Sequence, residues 1–294
     1  MNNIVCYGEV LWDVFPTHKK IGGAPLNVAY RLRSFDNQVS MISAVGNDDY
    51  GKTLISYLED NNINTDCIQV LEDYSTGKVK VKLDQKGSAT YTIEHPSAWD
   101  KISLEETAIS VVKNANAFIF GSLVARDNVS RETLFELIDF AKYRVFDVNL
   151  RPPHYDLKVL EKLMNNADFI KFNDDELYEI CQSLGSRFNG LEQNLKFIAE
   201  KTNTKHICVT KGQHGAVLLY NKNLYYNSGY IIKVVDTVGA GDSFLGSLIS
   251  QLLSQVEPQK AIDFACAVGA LVAQNEGANP NISDAEIKSF MNLD

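Results

Sequence analysis

From Ala117 onward the chain alternates short, mostly apolar runs with longer amphipathic ones. Ala117–Leu123, Arg144–Leu150, Asp168–Phe172 and His206–Thr210 read as buried strands. Between them, Arg131–Lys142, Leu157–Asn165, Asp174–Leu184 and Leu191–Lys201 carry the three-to-four spacing of helices. Ile4–Val10 is a further apolar strand at the start of the chain. Strand, helix, strand at this spacing implies right-handed crossovers, and so a mainly parallel sheet covered by helices on both faces, an α/β fold. One segment breaks the rhythm. Lys78–Leu83 alternates with period two, Asp84-Gln85-Lys86-Gly87 supplies turn residues, and Ala89–Ile93 resumes the alternation. That is an antiparallel hairpin with one wet face, and Leu11–Phe15 is placed to pair with it. A small sheet projecting from an α/β body is a natural cover for a cleft. Its apolar face also suits half of a dimer interface with a second copy, or the hairpin is an ordinary sheet edge; the pattern leaves these open.

Composition adds exclusions. At 294 residues, 45% hydrophobic and 22% charged, the chain has the make-up of a soluble globular protein. A chain of this size buries roughly 75% of its unfolded surface, so it needs no metal or disulfide staple. With 28 basic against 37 acidic residues the net charge is −9. That balance argues against a general nucleic-acid binder, although a local basic patch would still hold an anionic ligand. The longest uninterrupted apolar stretch, Phe264–Ala273, is about half a membrane span. No basic residue precedes the first apolar run, as a signal peptide would require, so a cytoplasmic location is expected. The five cysteines (Cys6, Cys67, Cys181, Cys208, Cys266) form no CxxC pair and no HExxH is present, which removes the usual zinc spacings. Isolated among apolar neighbours, they read as small core residues.

Two glycine-bearing segments compete for the role of phosphate cradle. Gly46-Asn47-Asp48-Asp49-Tyr50-Gly51-Lys52-Thr53 satisfies the Walker A spelling, lies after the strand-like Val39–Val45 and precedes the helix-like Leu54–Leu58. A P-loop NTPase using Lys52 follows from that string. Electrostatics objects, because Asp48 and Asp49 would crowd a triphosphate. Like charges about 4 Å apart cost ~4 kcal/mol at an effective dielectric of about 20. Acidic residues there are better explained as caps for the following helix. The second segment, Val235 to Phe244, follows the β-branched run Ile231–Val235 and opens the apolar helix Phe244–Leu253. Gly239 and Gly241 permit a tight bend in which successive N–H groups converge on an anion at a helix start. Asp242 stands beside that bend. Taken alone it is equally a cap or a general base; paired with a Gly239-Ala240-Gly241 nest it fits phosphoryl transfer. That chemistry needs donors for the moving phosphate and an acceptor for the attacking hydroxyl's proton.

These residues resemble the PfkB, or ribokinase-like, family of carbohydrate kinases. Asp236–Phe244 is similar to its C-terminal signature, and Gly22-Gly23-Ala24-Pro25-Leu26-Asn27-Val28-Ala29 through Gly46 and Gly51 to its N-terminal one. The resemblance covers nearly the whole chain and reassigns the Walker-like string to the N-terminal signature. Gly8-Glu9-Val10-Leu11-Trp12-Asp13 with Gly22–Asn27 looks most like the bacterial fructokinase branch. It implies a three-layer α/β/α body, one domain over residues 1–294, with a discontinuous β lid from about 10–22 and 76–95. It further implies an ATP-dependent sugar kinase with D-fructose as acceptor. Other acceptors of the family are 2-keto-3-deoxygluconate, ribose or a nucleoside.

The same resemblance assigns roles. Asp242 would be the base, with Gly239, Ala240 and Gly241 as the anion hole. Asp13, Gly22, Gly23 and Asn27 would hold the sugar, although Asp13 also suits a turn and Asn27 a polar helix position. Asn149 and Arg151 match positions facing substrate or phosphates, and which of the two Arg151 meets stays open. Asn173 and Glu176 match an NxxE element that organises Mg2+ and phosphate, largely through water; a helix start capped at Asp174 is the plainer alternative. Thr210, Lys211, Gly212 and Gly215 match a nucleotide-contacting turn, where Lys211 is otherwise a solvated loop residue. Asp236 and the Val238 carbonyl match a monovalent-cation position, K+ in many relatives. The expected partners are a small sugar and ATP, with neither nucleic acid nor membrane, and a homodimer through the lid follows family habit.

Overall fold

The computed structural model describes residues 1–83 and 89–292. The strands, in chain order, are β1 (Asn3–Tyr7), β2 (Leu11–Val14), β3 (Lys19–Gly22), β4 (Gln38–Gly46), β5 (Asn64–Leu71), β6 (Gly77–Leu83) and β7 (Ala89–Ile93). They continue with β8 (Ala117–Gly121), β9 (Arg144–Asp147), β10 (Phe169–Asn173), β11 (His206–Thr210), β12 (Ala216–Tyr220) and β13 (Asn223–Asn227). Nine of them form one sheet in the order β13-β12-β11-β10-β9-β8-β1-β4-β5. Every neighbouring pair from β11 to β5 is parallel, and β12 and β13 close one edge antiparallel. The expected α/β sheet is therefore present.

Alternation inside the apolar strands sorts two cores. Phe118, Phe120, Phe146, Ile170, Phe172 and Ile207 face one helical layer. Ile119, Val145, Phe169 and Cys208 face the other, together with Leu26 and Leu245 from two helices. Burial on both faces explains why these strands read as continuous apolar runs. All five cysteines are buried and free, as expected of core residues.

Predicted boundaries hold within a few residues, with one informative exception. The helix whose apolar run reads from Phe244 begins at Ala240, and Asp242 stands in its first turn, as expected. The exception is the β-branched run Ile231–Val235, which forms no strand. Strand β13 already occupies the sheet edge, and the N–H groups of Val235 and Asp236 turn instead to the Ala273 carbonyl (2.8 and 3.3 Å).

The second sheet is small, in the order β3-β2-β6-β7. Strands β6 and β7 pair antiparallel, as their alternation predicts, and Leu11–Val14 does pair with this hairpin, parallel to β6. The turn Asp84–Gly87 lies outside the described residues. No helix among those described is long and apolar enough to cross a membrane.

Candidate active site

The site is assembled at the carboxyl edge of the parallel strands, where α/β sheets usually bind ligands. Strand register does much of the work. Gly121 pairs with Asp147, Asp147 with Lys171, and Asn173 with Thr210, so the ends of β8 to β11 bring these residues side by side.

Helix Ala240–Leu253 supplies the centre. Gly239 is its N-cap at φ 75°, ψ −5°, and a Cβ there would sit 2.5 Å from the Cβ of Ala278. Only glycine meets both conditions. No side chain caps this helix; the Ala240 N–H turns to the Thr237 carbonyl (3.3 Å), and among the described residues the Gly241 and Asp242 N–H groups remain available to an anion. Asp236 stiffens the approach: one carboxylate oxygen accepts from the Val238 N–H (3.0 Å), the other from the Gly277 N–H (3.1 Å). Beneath the bend, the Lys171 ammonium would lie 3.5 Å from a Cβ placed on Gly241.

Asp242 accepts a hydrogen bond from the Asn27 amide at 2.8 Å. Asn27 belongs to helix Ala24–Arg33, which packs closely along Ala240–Leu253; a Cβ on Gly246 would stand 3.2 Å from the Val28 carbonyl. Arg31 reinforces the pairing by donating to the Ser243 hydroxyl (3.2 Å) and the Pro280 carbonyl (3.0 Å). The two signatures, remote in sequence, thus meet across one helix pair. Burial pushes the Asp242 carboxyl up to about 6; Asp147 adds to the rise, while the Asn27 hydrogen bond, Lys171 and Arg151 oppose it.

Asp13, on β2, faces Gly22 across the small sheet, where a Cβ would meet its carboxylate at 2.5 Å. Gly23, at φ 113°, lies against the Glu9 carbonyl. Burial lifts Asp13 to about 6 against the pull of Arg151 and Lys20, and Glu9 to about 7. Arg151 is exposed at the loop after β9, and the carboxylates that feel its charge are Glu9, Asp13 and Asp242.

Asn173 caps the helix Asp174–Ser183 and Glu176 reaches back to it, the two forming a reciprocal capping box. The cap is Asn173 and not Asp174. Glu176 also accepts from the Leu150 N–H (2.9 Å), so each of its oxygens holds a backbone donor. Thr210 leads into a tight turn closed by Lys211 N–H to the Gly215 carbonyl (2.7 Å). Gly215, at φ 75°, packs against β13, where a Cβ would overlap the Asn227 carbonyl.

Four residues escaped the sequence reading. Lys171 and Asp147 form a buried ion pair (3.0 Å). Burial alone would discharge Lys171, but Asp147, Glu176 and Asp242 outweigh it and hold the ammonium charged. The signal was there: one lysine inside the apolar run Phe169–Phe172 needs a buried anion as partner. Glu9 is nearly inaccessible, and one of its oxygens has no hydrogen-bond partner among the described residues. Asn279 donates to the Asn27 carbonyl oxygen at 2.9 Å.

The Walker-like string is elsewhere engaged. Asp48 caps helix Asp49–Asp60 and accepts from the Gly51 N–H (2.8 Å), the Thr76 N–H (3.0 Å) and the Thr76 hydroxyl (2.7 Å). Burial opposes ionisation there, but these donors prevail and hold the carboxyl below its ordinary range. Lys52 is 70% exposed. Asp48 and Thr76 take the Gly46 and Gly51 N–H groups that a phosphate would need, so the loop is no cradle for a triphosphate.

Comparison with known proteins agrees with this geometry. The family model for pfkB family carbohydrate kinases matches residues 1–285. A fructokinase from Vibrio alginolyticus is 28% identical, over 95% of this chain and 95% of its own. An uncharacterised sugar kinase from Pyrococcus horikoshii in complex with ATP superposes with a TM-score of 0.85 at 29% identity, covering 97% of each chain. A fructokinase double mutant from Vibrio cholerae with fructose, ADP and potassium ion superposes at 0.84 and 25% identity, covering 99% of this chain and 98% of that one. A ribokinase-like α/β body that unites both signatures at one helix pair, matched over residues 1–285, places this chain in the pfkB family of carbohydrate kinases.

Proposed function

We propose that this kinase transfers the γ-phosphoryl group of ATP to a primary hydroxyl of D-fructose, with Asp242 as the base. The observation that carries the reading is the Asp242 carboxylate in the first turn of an uncapped helix, hydrogen-bonded to Asn27. A carboxyl near 6 is ionised at neutral pH yet basic enough to take a proton as the hydroxyl attacks. The N–H groups of the Gly239–Gly241 bend, with Lys171 beneath, would stabilise the charge on the moving phosphoryl group. Asp13 and the second N–H of the Asn27 amide would hold acceptor hydroxyls, while Gly22 and Gly23 let the ring approach the backbone.

Asn173, Thr210, Lys211, Gly212 and Gly215 form the ATP side, and the small sheet acts as the lid that excludes water from the transfer. Among the described residues no cluster of three acidic, histidine or cysteine side chains would cage a metal. Glu176, with a backbone donor on each oxygen, suits Mg2+ held through its own waters. When bound, such an ion would neutralise phosphate charge. Asp236 and the Val238 carbonyl share the bend that a K+ would occupy, and potassium is present in the Vibrio cholerae fructokinase structure.

A coupled ADP-release assay across ketoses, aldoses, acid sugars and nucleosides tests the acceptor. Fructose is expected to give the highest kcat/KM. An acid sugar ahead of it would reassign Arg151 as a carboxylate-binding residue and overturn the preferred substrate.

A further inference from the structure

The loop after helix Pro258–Ala273 contacts the small sheet, the Gly239 bend and helix Ala24–Arg33. Glu276 pairs with Lys20 of the small sheet (2.8 Å), Gly277 donates to Asp236, Ala278 packs on Gly239, and Pro280 accepts from Arg31. Asn279 sits in the middle of this run. Its amide donates to Asn27 Oδ1 (2.9 Å), and the Asn27 amide donates to Asp242 Oδ2 (2.8 Å).

The polarity of this chain is set from its end. An ionised carboxylate only accepts, so Asn27 must turn its NH2 toward Asp242 and its carbonyl oxygen away. That oxygen then requires a donor, since a buried amide oxygen left unpaired is costly, and Asn279 provides it.

Resting on the assignment of Asp242 as base, we propose that Asn279 is a positioning residue that locks the Asn27 amide in the orientation serving both Asp242 and the acceptor. Because the same loop holds Asp236 and Gly239, it ties the placement of the base to that of the phosphate bend. The charged groups around Asp242 are Asp147 on β9, Lys171 on β10, Arg151 after β9 and Glu9 after β1, and Tyr57 stands beside Asn279. None of them replaces the donor that Asn279 gives to Asn27.

The test is a cycle of Asn279→Leu, Asn27→Ala and the double variant, with Asp242→Asn as reference and kcat followed from pH 5 to 9. Asn279→Leu is expected to lower kcat about tenfold, to leave KM for ATP unchanged, and to move the acid limb of kcat upward by about one pH unit. In the Asn27→Ala background it should add nothing further. Asn279→Ser, too short to bridge the contact, gives the same readout should the leucine variant fail to fold. If Asp242→Asn is inactive while both Asn279 variants keep the wild-type limb and kcat, or if Asn279→Leu costs as much without Asn27 as with it, the positioning role is refuted and the base stands. An active Asp242→Asn protein would remove both.

Discussion

As the proposed base, Asp242 would serve the chemistry at a cost to folding. Its carboxyl titrates near 6 in the folded chain, against an ordinary 3.8. Between those values the folded protein binds a proton that the unfolded chain does not, so stability falls as pH rises through this window. Asp242→Asn removes the burden and should raise the melting temperature of the free enzyme at pH 7.5, with a smaller gain at pH 4. The same substitution should lower kcat by about 10²–10⁴-fold with little change in KM. In the wild type, kcat should decline below about pH 6 as the base is protonated. Calorimetry and steady-state kinetics on one preparation check both; a variant that melts lower and turns over normally contradicts the role. At this scale the signatures pointed to residues that the fold does bring together, Asn27 and Asp242. The sequence was silent where the partner comes from the fold. Nothing near Lys171 in sequence announces Asp147, because strand register alone makes them neighbours.

Among elements, the contrast between two glycine bends shows what a pattern can and cannot say. The string from Gly46 to Thr53 spells a nucleotide loop, yet Asp48 and Thr76 saturate it, and the repulsion argument from Asp48 and Asp49 anticipates that outcome. The Gly239 bend lacks such a spelling and has an uncapped helix behind it. Lys52→Ala should therefore leave kcat and the KM for ATP at wild-type values, as an exposed substitution does. Gly239→Ala, forced into φ 75° against Ala278, should lose activity about tenfold or more. ATP kinetics of the two variants decide between the loops, and the reverse pattern would restore the Walker reading. The β12–β13 hairpin was not legible for a related reason. Its two-residue turn is Asn221-Lys222, both at positive φ (49° and 71°), where a glycine would normally stand in second place and signal the turn.

For the molecule as a whole, the site depends on segments far apart in the chain being held in one frame. Arg126, closing the short helical turn Leu123–Arg126 after β8, pairs with both carboxylate oxygens of Asp100 (2.7 and 2.8 Å), donates to the Glu94 carbonyl (2.6 Å) and lies over the Trp99 ring. This anchors the return of the small sheet to the body. On the opposite side Lys20 reaches Glu276, so the small sheet is tethered across the cleft to the loop that braces the phosphate bend. Two-sided anchoring explains how a four-stranded sheet with little core of its own holds Asp13 in place. The alternation of strand and helix made the body legible in advance; the tethers were not, since each joins residues that only the finished fold brings together. A structure of the protein with fructose and a non-hydrolysable ATP analogue tests the central claim most directly. The account predicts the γ-phosphate at the N–H groups of Gly239–Gly241, and a primary hydroxyl about 2.6–3.2 Å from the Asp242 carboxylate. A γ-phosphate seated at Gly46–Thr53, or an acceptor hydroxyl out of reach of Asp242, would contradict it.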